Sequence, residues 1–149
     1  MRIYLDTCCY SRIFDTDTSG KLPAEAKFIL KLQKMIIRKE IDLVTSFMLH
    51  YENYQVKADN QRDKINFFVK SFRTIYVGID KVDELSKIVD KIIKFGIKQK
   101  DAYHIASSIL TNCDYFITFD KKLLKFNSDE VKIINPADFI KILEGDKNE

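Results

Sequence analysis

The sequence predicts an α/β fold, a mostly parallel sheet of about five strands covered by helices on both faces. Two observations carry this prediction. Short apolar and β-branched segments alternate with longer segments of helical periodicity along the chain. The helical segments are also bounded by residues suited to helix ends, among them Pro23, Gly96 and the Asn135-Pro136 pair.

Taken in order, Ile3 to Leu5 is a first short strand that runs into Asp6. Leu22 to Arg38 is helical, with Leu22, Ala26, Ile29, Leu30, Leu32 and Ile36 on one side and Pro23 suited to the first helical position. Ile41 to Thr45 is a second strand. Phe47 to Lys57 and Gln61 to Ser71 are helices separated near Asp59-Asn60. Thr74 to Ile79 is β-branched and aromatic, a third strand. Val82 to Phe95 is an amphipathic helix stopped at Gly96, and a further helix runs from Gln99 to Leu110 with Asn112 near its end. Tyr115 to Thr118 and Val131 to Ile134 are the last strands, and Asn135 caps a final helix with Pro136 next.

The composition excludes several classes. With 149 residues the chain has the size of one domain, 1–149, and can bury a sizeable core. Hydrophobic residues at 46% and charged residues at 32% fit a globular protein and not a disordered one. No apolar run approaches the roughly 18 residues of a membrane span. Asp6 interrupts the N-terminus before a signal-peptide core can build, so a cytoplasmic location is expected. The net charge of +3 neither requires nor excludes a nucleic-acid partner. Cys8, Cys9 and Cys113 lack zinc or disulfide-framework spacing and read as small hydrophobes.

In parallel sheets, ligands sit outside the carboxyl ends of the strands. Acids gather there in this chain. Asp6 follows the first strand, Asp120 closely follows the fourth, Asp101 opens the helix leading into the fourth, and Glu52 lies in the helix after the second. Like charges brought close raise one another's pKa, and a hard divalent cation with oxygen ligands removes that cost. Each acid alone also suits a turn or helix cap, and Asp120 before Lys121-Lys122-Leu123-Leu124 fits a cap well. Glu52 stands in the largely apolar turn Phe47-Met48-Leu49-His50-Tyr51-Glu52, where an inward carboxylate needs a partner.

The segments YLDTCCYSRIF, TSFMLHYEN, KDAYHIASSI and YFITFDKKLLK resemble the four motifs of the PIN domain in order, spacing and local sequence. The stretch from Asp101, Ala102 and His104 through Ala106-Ser107-Ser108 to Thr118-Phe119-Asp120 carries most of the likeness, and INPADFI resembles the ending of one bacterial and archaeal branch. The resemblance implies a three-layer α/β/α sandwich with a parallel sheet. It implies a metal-dependent ribonuclease, with VapC-like toxins of VapBC toxin–antitoxin pairs among the relatives. It assigns Asp6, Glu52, Asp101 and Asp120 as the acids that hold Mg²⁺ or Mn²⁺ and serve catalysis, with Thr7 and Thr118 beside them. RNA is the implied substrate, with a 5′-phosphate on the product, and an antitoxin protein and a homodimer are the implied partners. Cys8-Cys9 departs from the Asn or Ser and aliphatic residue common in relatives, which touches the surroundings of the acids but not the acids.

Two alternatives stay open at this level. One is a PIN-like module that binds RNA or protein with little turnover, and the other is a DNA-directed nuclease using the same acids. Other chemistries lack their motifs. His50-Tyr51-Glu52 has the H-x-E of a zinc deaminase without its P-C-x-x-C, and there is no G-x-S-x-G elbow or phosphate-binding glycine loop. His104, one turn after Asp101, reads either as a structural residue or as one that orients a carboxylate. Lys87, Lys91, Lys94 and Lys98 share one helix face, read as solvated or as an RNA-binding stripe. Tyr10, Phe14, Tyr51 and Tyr54 lie near the acids in sequence, and some of them are candidates for base stacking or a dimer interface.

Overall fold

The structure, a computed structural model, describes residues 1–16 and 19–147. Five strands form one sheet: β1 (Arg2–Leu5), β2 (Asp42–Ser46), β3 (Ile75–Val77), β4 (Tyr115–Ile117) and β5 (Lys132–Ile134). Their order is β3-β2-β1-β4-β5 and every pairing is parallel. The helices are α1 (Thr7–Ser11), α2 (Ala24–Ile37), α3 (Phe47–Tyr54), α4 (Asp59–Phe72), α5 (Val82–Ile93), α6 (Gln99–Leu110), α7 (Lys121–Leu124) and α8 (Pro136–Lys147), with 3₁₀ turns at Arg12–Phe14 and Ile79–Lys81.

The strand period of two sorts the core into two layers. On one face, Ile3, Leu5, Leu43 and Ile117 pack with Tyr10, Ile29, Leu32, Ile65, Val69 and Phe139, which come from α1, α2, α4 and α8. On the other, Tyr4, Val44 and Phe116 pack with Leu85, Val89 and Ile92 of α5 and Ala102, Ile105 and Ala106 of α6. The result is the expected three-layer α/β/α sandwich. Of the four lysines read as one helix face, Lys87 and Lys91 lie on α5, exposed and opposite its buried Leu85, Val89 and Ile92, whereas Lys94 caps its end and Lys98 caps the start of α6.

Local chemistry sets the element ends. Asn135 Oδ1 accepts from the Asp138 N–H at 2.8 Å, while its Nδ2 donates to Asp138 Oδ2 at 3.0 Å, which caps α8. Asp120 caps α7 by accepting from the Lys122 N–H at 2.8 Å and the Leu123 N–H at 3.4 Å. Past α5 and α6, the chain turns through Gly96 at φ 84° and Asn112 at φ 56°.

Several boundaries differ from the sequence reading. Helix α1 was not expected, because five residues are too short to show periodicity. It is started by Asp6, whose side chain accepts from the Thr7 N–H. Pro23 is the cap of α2 and not its first helical residue, since its ψ of 148° is extended. Strand β3 ends at Val77 because Gly78 leads straight into a 3₁₀ turn, which leaves Ile79 exposed. Helix α3 ends at Tyr54, short of Lys57, and α4 begins at Asp59.

Gly96 gives a test of the turn after α5. A Cβ there meets nothing within 4 Å, so the cost of Gly96→Ala is that of the left-handed backbone alone. The expected loss is about 1 kcal/mol in urea unfolding. No loss would show that the turn relaxes freely to negative φ.

Candidate active site

All strands are parallel, so their carboxyl ends share one edge, and the acids are built onto it. Leu5 pairs with Ile117 in register, and the Asp6 N–H donates to the Ile117 carbonyl at 2.9 Å. This holds Asp6 beside Thr118, the residue after β4. Asp6 is 7% exposed. Its Oδ1 accepts from the Thr7 N–H at 2.8 Å and its Oδ2 accepts from the Thr118 hydroxyl at 2.8 Å. The same Thr118 oxygen accepts from the Asp120 N–H at 3.0 Å. One buried hydroxyl therefore links the loops that carry Asp6 and Asp120. Cys8 Sγ lies 3.7 Å from both Asp6 Oδ2 and Thr118 Oγ1, so the Cys8 departure noted in the sequence touches this cluster.

Glu52 has the partner its setting demanded. Its Oε1 accepts from Nε2 of His104, which is fully buried on α6. A carboxylate only accepts, so Nε2 carries the hydrogen. In the neutral imidazole Nδ1 is then an acceptor, and it lies 2.6 Å from the Tyr4 hydroxyl. Burial pushes the Tyr4 phenol well above its ordinary pKa, so it keeps its proton to donate. Ser46 Oγ lies 2.6 Å from the Tyr4 oxygen and accepts from the Leu49 N–H at 3.3 Å. The chain of hydrogen bonds thus runs from the Leu49 amide through Ser46, Tyr4 and His104 to Glu52. It begins and ends on α3 and crosses β1 and α6 between. Tyr4 is held flat against Phe116, with ring centroids 5.5 Å apart and 9° between planes.

The electrostatics bring the remaining acids into the same site. Burial raises the Asp101 carboxyl, and the negative charges of Asp6, Asp120 and Glu52 raise it further against the pull of His104. Burial also pushes Glu52 up, but the hydrogen bond from His104, with the charge of Lys100 and the Thr7 hydroxyl, outweighs it and holds Glu52 below the usual range. Asp120 is exposed and spends one oxygen capping α7, so its cap role and its place in the cluster coexist.

The donor set suits a hard cation in chemistry and in sign of charge. The acids supply only oxygen, and they oppose ionisation of Asp101 in the way a divalent cation would relieve. Among the described residues, no group of three or more His, Cys, Asp or Glu side chains is arranged to hold a metal ion by itself. Mg²⁺ characteristically takes one or two carboxylates and completes its shell with water and substrate phosphates. Asp6 and Asp101 are the candidate direct ligands.

The structure thus places Asp6, Glu52 and Asp120 each within electrostatic reach of Asp101, with Thr118 bonded to Asp6. Thr7 Oγ1 lies 3.5 Å from His104 Nε2, beside the Glu52 contact. The sequence left His104 between two roles, and the structure gives it both, buried and bonded to a carboxylate. Tyr4 and Ser46 were missed. The available signal was a tyrosine inside an otherwise apolar strand, which needs a partner for its hydroxyl.

Two outcomes follow from this geometry. Tyr4→Phe leaves Ser46 and His104 Nδ1 buried without their shared partner, at an expected cost of about 1–3 kcal/mol in denaturant unfolding. Wild-type stability for this variant would remove the hydrogen-bond chain as a structural element. For the metal-free protein, the raised Asp101 carboxyl makes stability fall as pH rises from its ordinary 3.8 through its folded value. Glu52 acts oppositely: its contribution is present above its ordinary 4.5 and is lost as pH falls through its lowered folded value. Asp101→Asn is therefore expected to raise Tm at neutral pH in EDTA, by about 1–2 °C after solvent screening of a half-exposed group. A lowered Tm in EDTA would contradict the repulsion.

Comparison with protein-family models finds no match, and comparison with curated proteins finds none either. Among solved structures, the chain is similar to one in the crystal structure of VapBC2 from Rickettsia felis bound to a DNA fragment from their promoter. The TM-score is 0.56 at 16% sequence identity, over 91% of this chain and 98% of that one. At this identity the likeness concerns architecture, and with the parallel five-stranded sheet between two helical layers it shows that the chain has a PIN-like α/β/α fold.

Proposed function

We propose that the chain is a metal-dependent endoribonuclease, folded as one domain over residues 1–149, with Asp6, Glu52, Asp101 and Asp120 as its catalytic acids. The observation that carries this reading is the gathering of acids around Asp101 at the carboxyl edge of a parallel sheet, where burial and then the charges of Asp6, Asp120 and Glu52 raise its carboxyl. A module that only bound RNA would gain nothing from negative charge beside phosphates.

In this reading Asp6 and Asp101 hold Mg²⁺ or Mn²⁺, with Glu52 and Asp120 completing the site directly or through water. The cation supplies charge stabilisation at the scissile phosphate and a lowered pKa for bound water. Thr118 and the Thr7 N–H fix both oxygens of Asp6. His104 keeps the Glu52 carboxylate ionised and in place, ready to orient or accept a proton from the attacking water. The proposal extends to a cytoplasmic toxin working against an antitoxin protein, and to a homodimer. The PIN-like fold shared with VapBC2 supports the toxin reading. Among the described residues, no helix is long and apolar enough to cross a membrane.

The test is cleavage of labelled single-stranded RNA with Mg²⁺, Mn²⁺ or EDTA, with single-stranded and duplex DNA in parallel. RNA cutting is expected only with metal. Asp6→Asn and Asp101→Asn are each expected to lower it by at least about 100-fold, the scale of removing a transition-state charge stabiliser. Mg²⁺ or Mn²⁺ is also expected to raise the Tm of wild type more than that of Asp101→Asn. Wild-type cutting rates in either variant would remove the assignment. Preference for DNA would replace the ribonuclease with a DNA-directed enzyme.

A further inference from the structure

The aromatic residues near the acids part into two groups. Tyr10 is 1% exposed and cannot meet a base, and Phe14 is partly buried against the core. Tyr51 and Tyr54 are 48% and 75% exposed on α3. Of these two, Tyr51 directly precedes Glu52, and the Lys100 ammonium lies 5.4 Å from the centre of its ring. Lys100 in turn directly precedes Asp101 on α6, and its charge reaches the Glu52 carboxylate. An exposed ring with a cation against it therefore lies near the acid site, each of the two residues next in sequence to one of the acids.

We propose that Tyr51 and Lys100 form a subsite for one unpaired nucleobase and its phosphate, next to the bond that is cut. The proposal rests on the ribonuclease reading and adds to it two residues that hold the RNA beside the cleaved bond. An acid cluster repels a polyanion, so the substrate needs a contact that does not depend on those acids. The Tyr51 ring offers a face that any base can stack on, and Lys100 offers a counter-charge to the adjoining phosphate. A base held in a duplex cannot reach the ring without unpairing, so duplex RNA gains nothing from it. Tyr54 has the exposure without the adjacent lysine and is not part of the subsite.

The test measures binding apart from cleavage. Asp6→Asn protein blocks turnover, and short randomised RNA, single-stranded or duplex, is titrated by fluorescence anisotropy in Mg²⁺. Adding Tyr51→Ala is expected to weaken single-strand binding about tenfold, while Tyr51→Phe, which keeps the ring, binds as the parent does. Duplex binding is expected to stay the same. Lys100→Ala is expected to weaken binding and to lower the slope of log K against log salt by about 0.7. Both side chains are exposed, and circular dichroism checks that the variants keep their fold. Equal losses on single strands and duplexes, equal losses for Phe and Ala, or no loss overturn the subsite. So does absence of RNA binding by the Asp6→Asn parent, or a Tyr51→Ala effect confined to oligomeric state. The two readings separate in parallel assays of chains with Asp6 intact. Metal-dependent cutting with an unchanged KM in Tyr51→Ala defeats the subsite alone. Tyr51-dependent binding of single strands without cutting defeats the nuclease alone.

Discussion

Strand β1 lies in the middle of a sheet covered on both faces, and the site depends on that placement. Ile3, Tyr4 and Leu5 are fully buried, so past Arg2 nothing polar on this strand meets water before Asp6. The first charged residue after such a strand emerges at the sheet edge, flanked by the ends of β2 and β4. Parallel pairing with β4 sets Asp6 beside Thr118, and pairing with β2 sets Tyr4 below Ser46. Register thus becomes side-chain geometry, because a shift of one residue would send Tyr4 and Leu5 to opposite faces.

The site joins two unlike electrostatic arrangements. The chain through Ser46, Tyr4, His104 and Glu52 is closed, each group answering the next, and it lies mostly in the interior. Low dielectric strengthens such a chain and makes each missing member costly. The cluster of Asp6, Asp101 and Asp120 stands at the sheet edge, with negative charge gathered around Asp101 that the protein relieves only in part, through His104. The satisfied chain fixes where Glu52 points, and the unsatisfied cluster stores repulsion that a cation can discharge. In the proposed nuclease, stability and function are set against each other at Asp101 and aligned at Glu52.

Much of this organisation was legible in the sequence. The alternation of strands and helices, the caps at Asp120 and Asn135 and the acids after the strands all rest on contacts within a few residues. Helix α1 was not legible, because its five residues are held by an Asp6 cap and by packing and not by a periodic pattern. The end of β3 was misread because Thr74 to Ile79 is uniformly suited to a strand, while the turn after Gly78 takes Ile79 out of the sheet.

By itself the sequence determined the type and order of the longer elements, though not the short α1 and α7, and set an acid beyond the central strand. Hydrophobic periodicity and capping are short-range, so a linear reading captures them. Only the tertiary structure decided which groups face one another. Tyr4 and His104 meet across a separation of 100 residues, and His104 and Glu52 across 52. Which of Tyr10, Phe14, Tyr51 and Tyr54 met solvent was decided by which side of each helix the sheet buried. The Asp101 carboxyl is raised by charges carried after β1, on α3 and after β4. Burial and Coulomb energy depend on distances in space, and packing alone sets those distances.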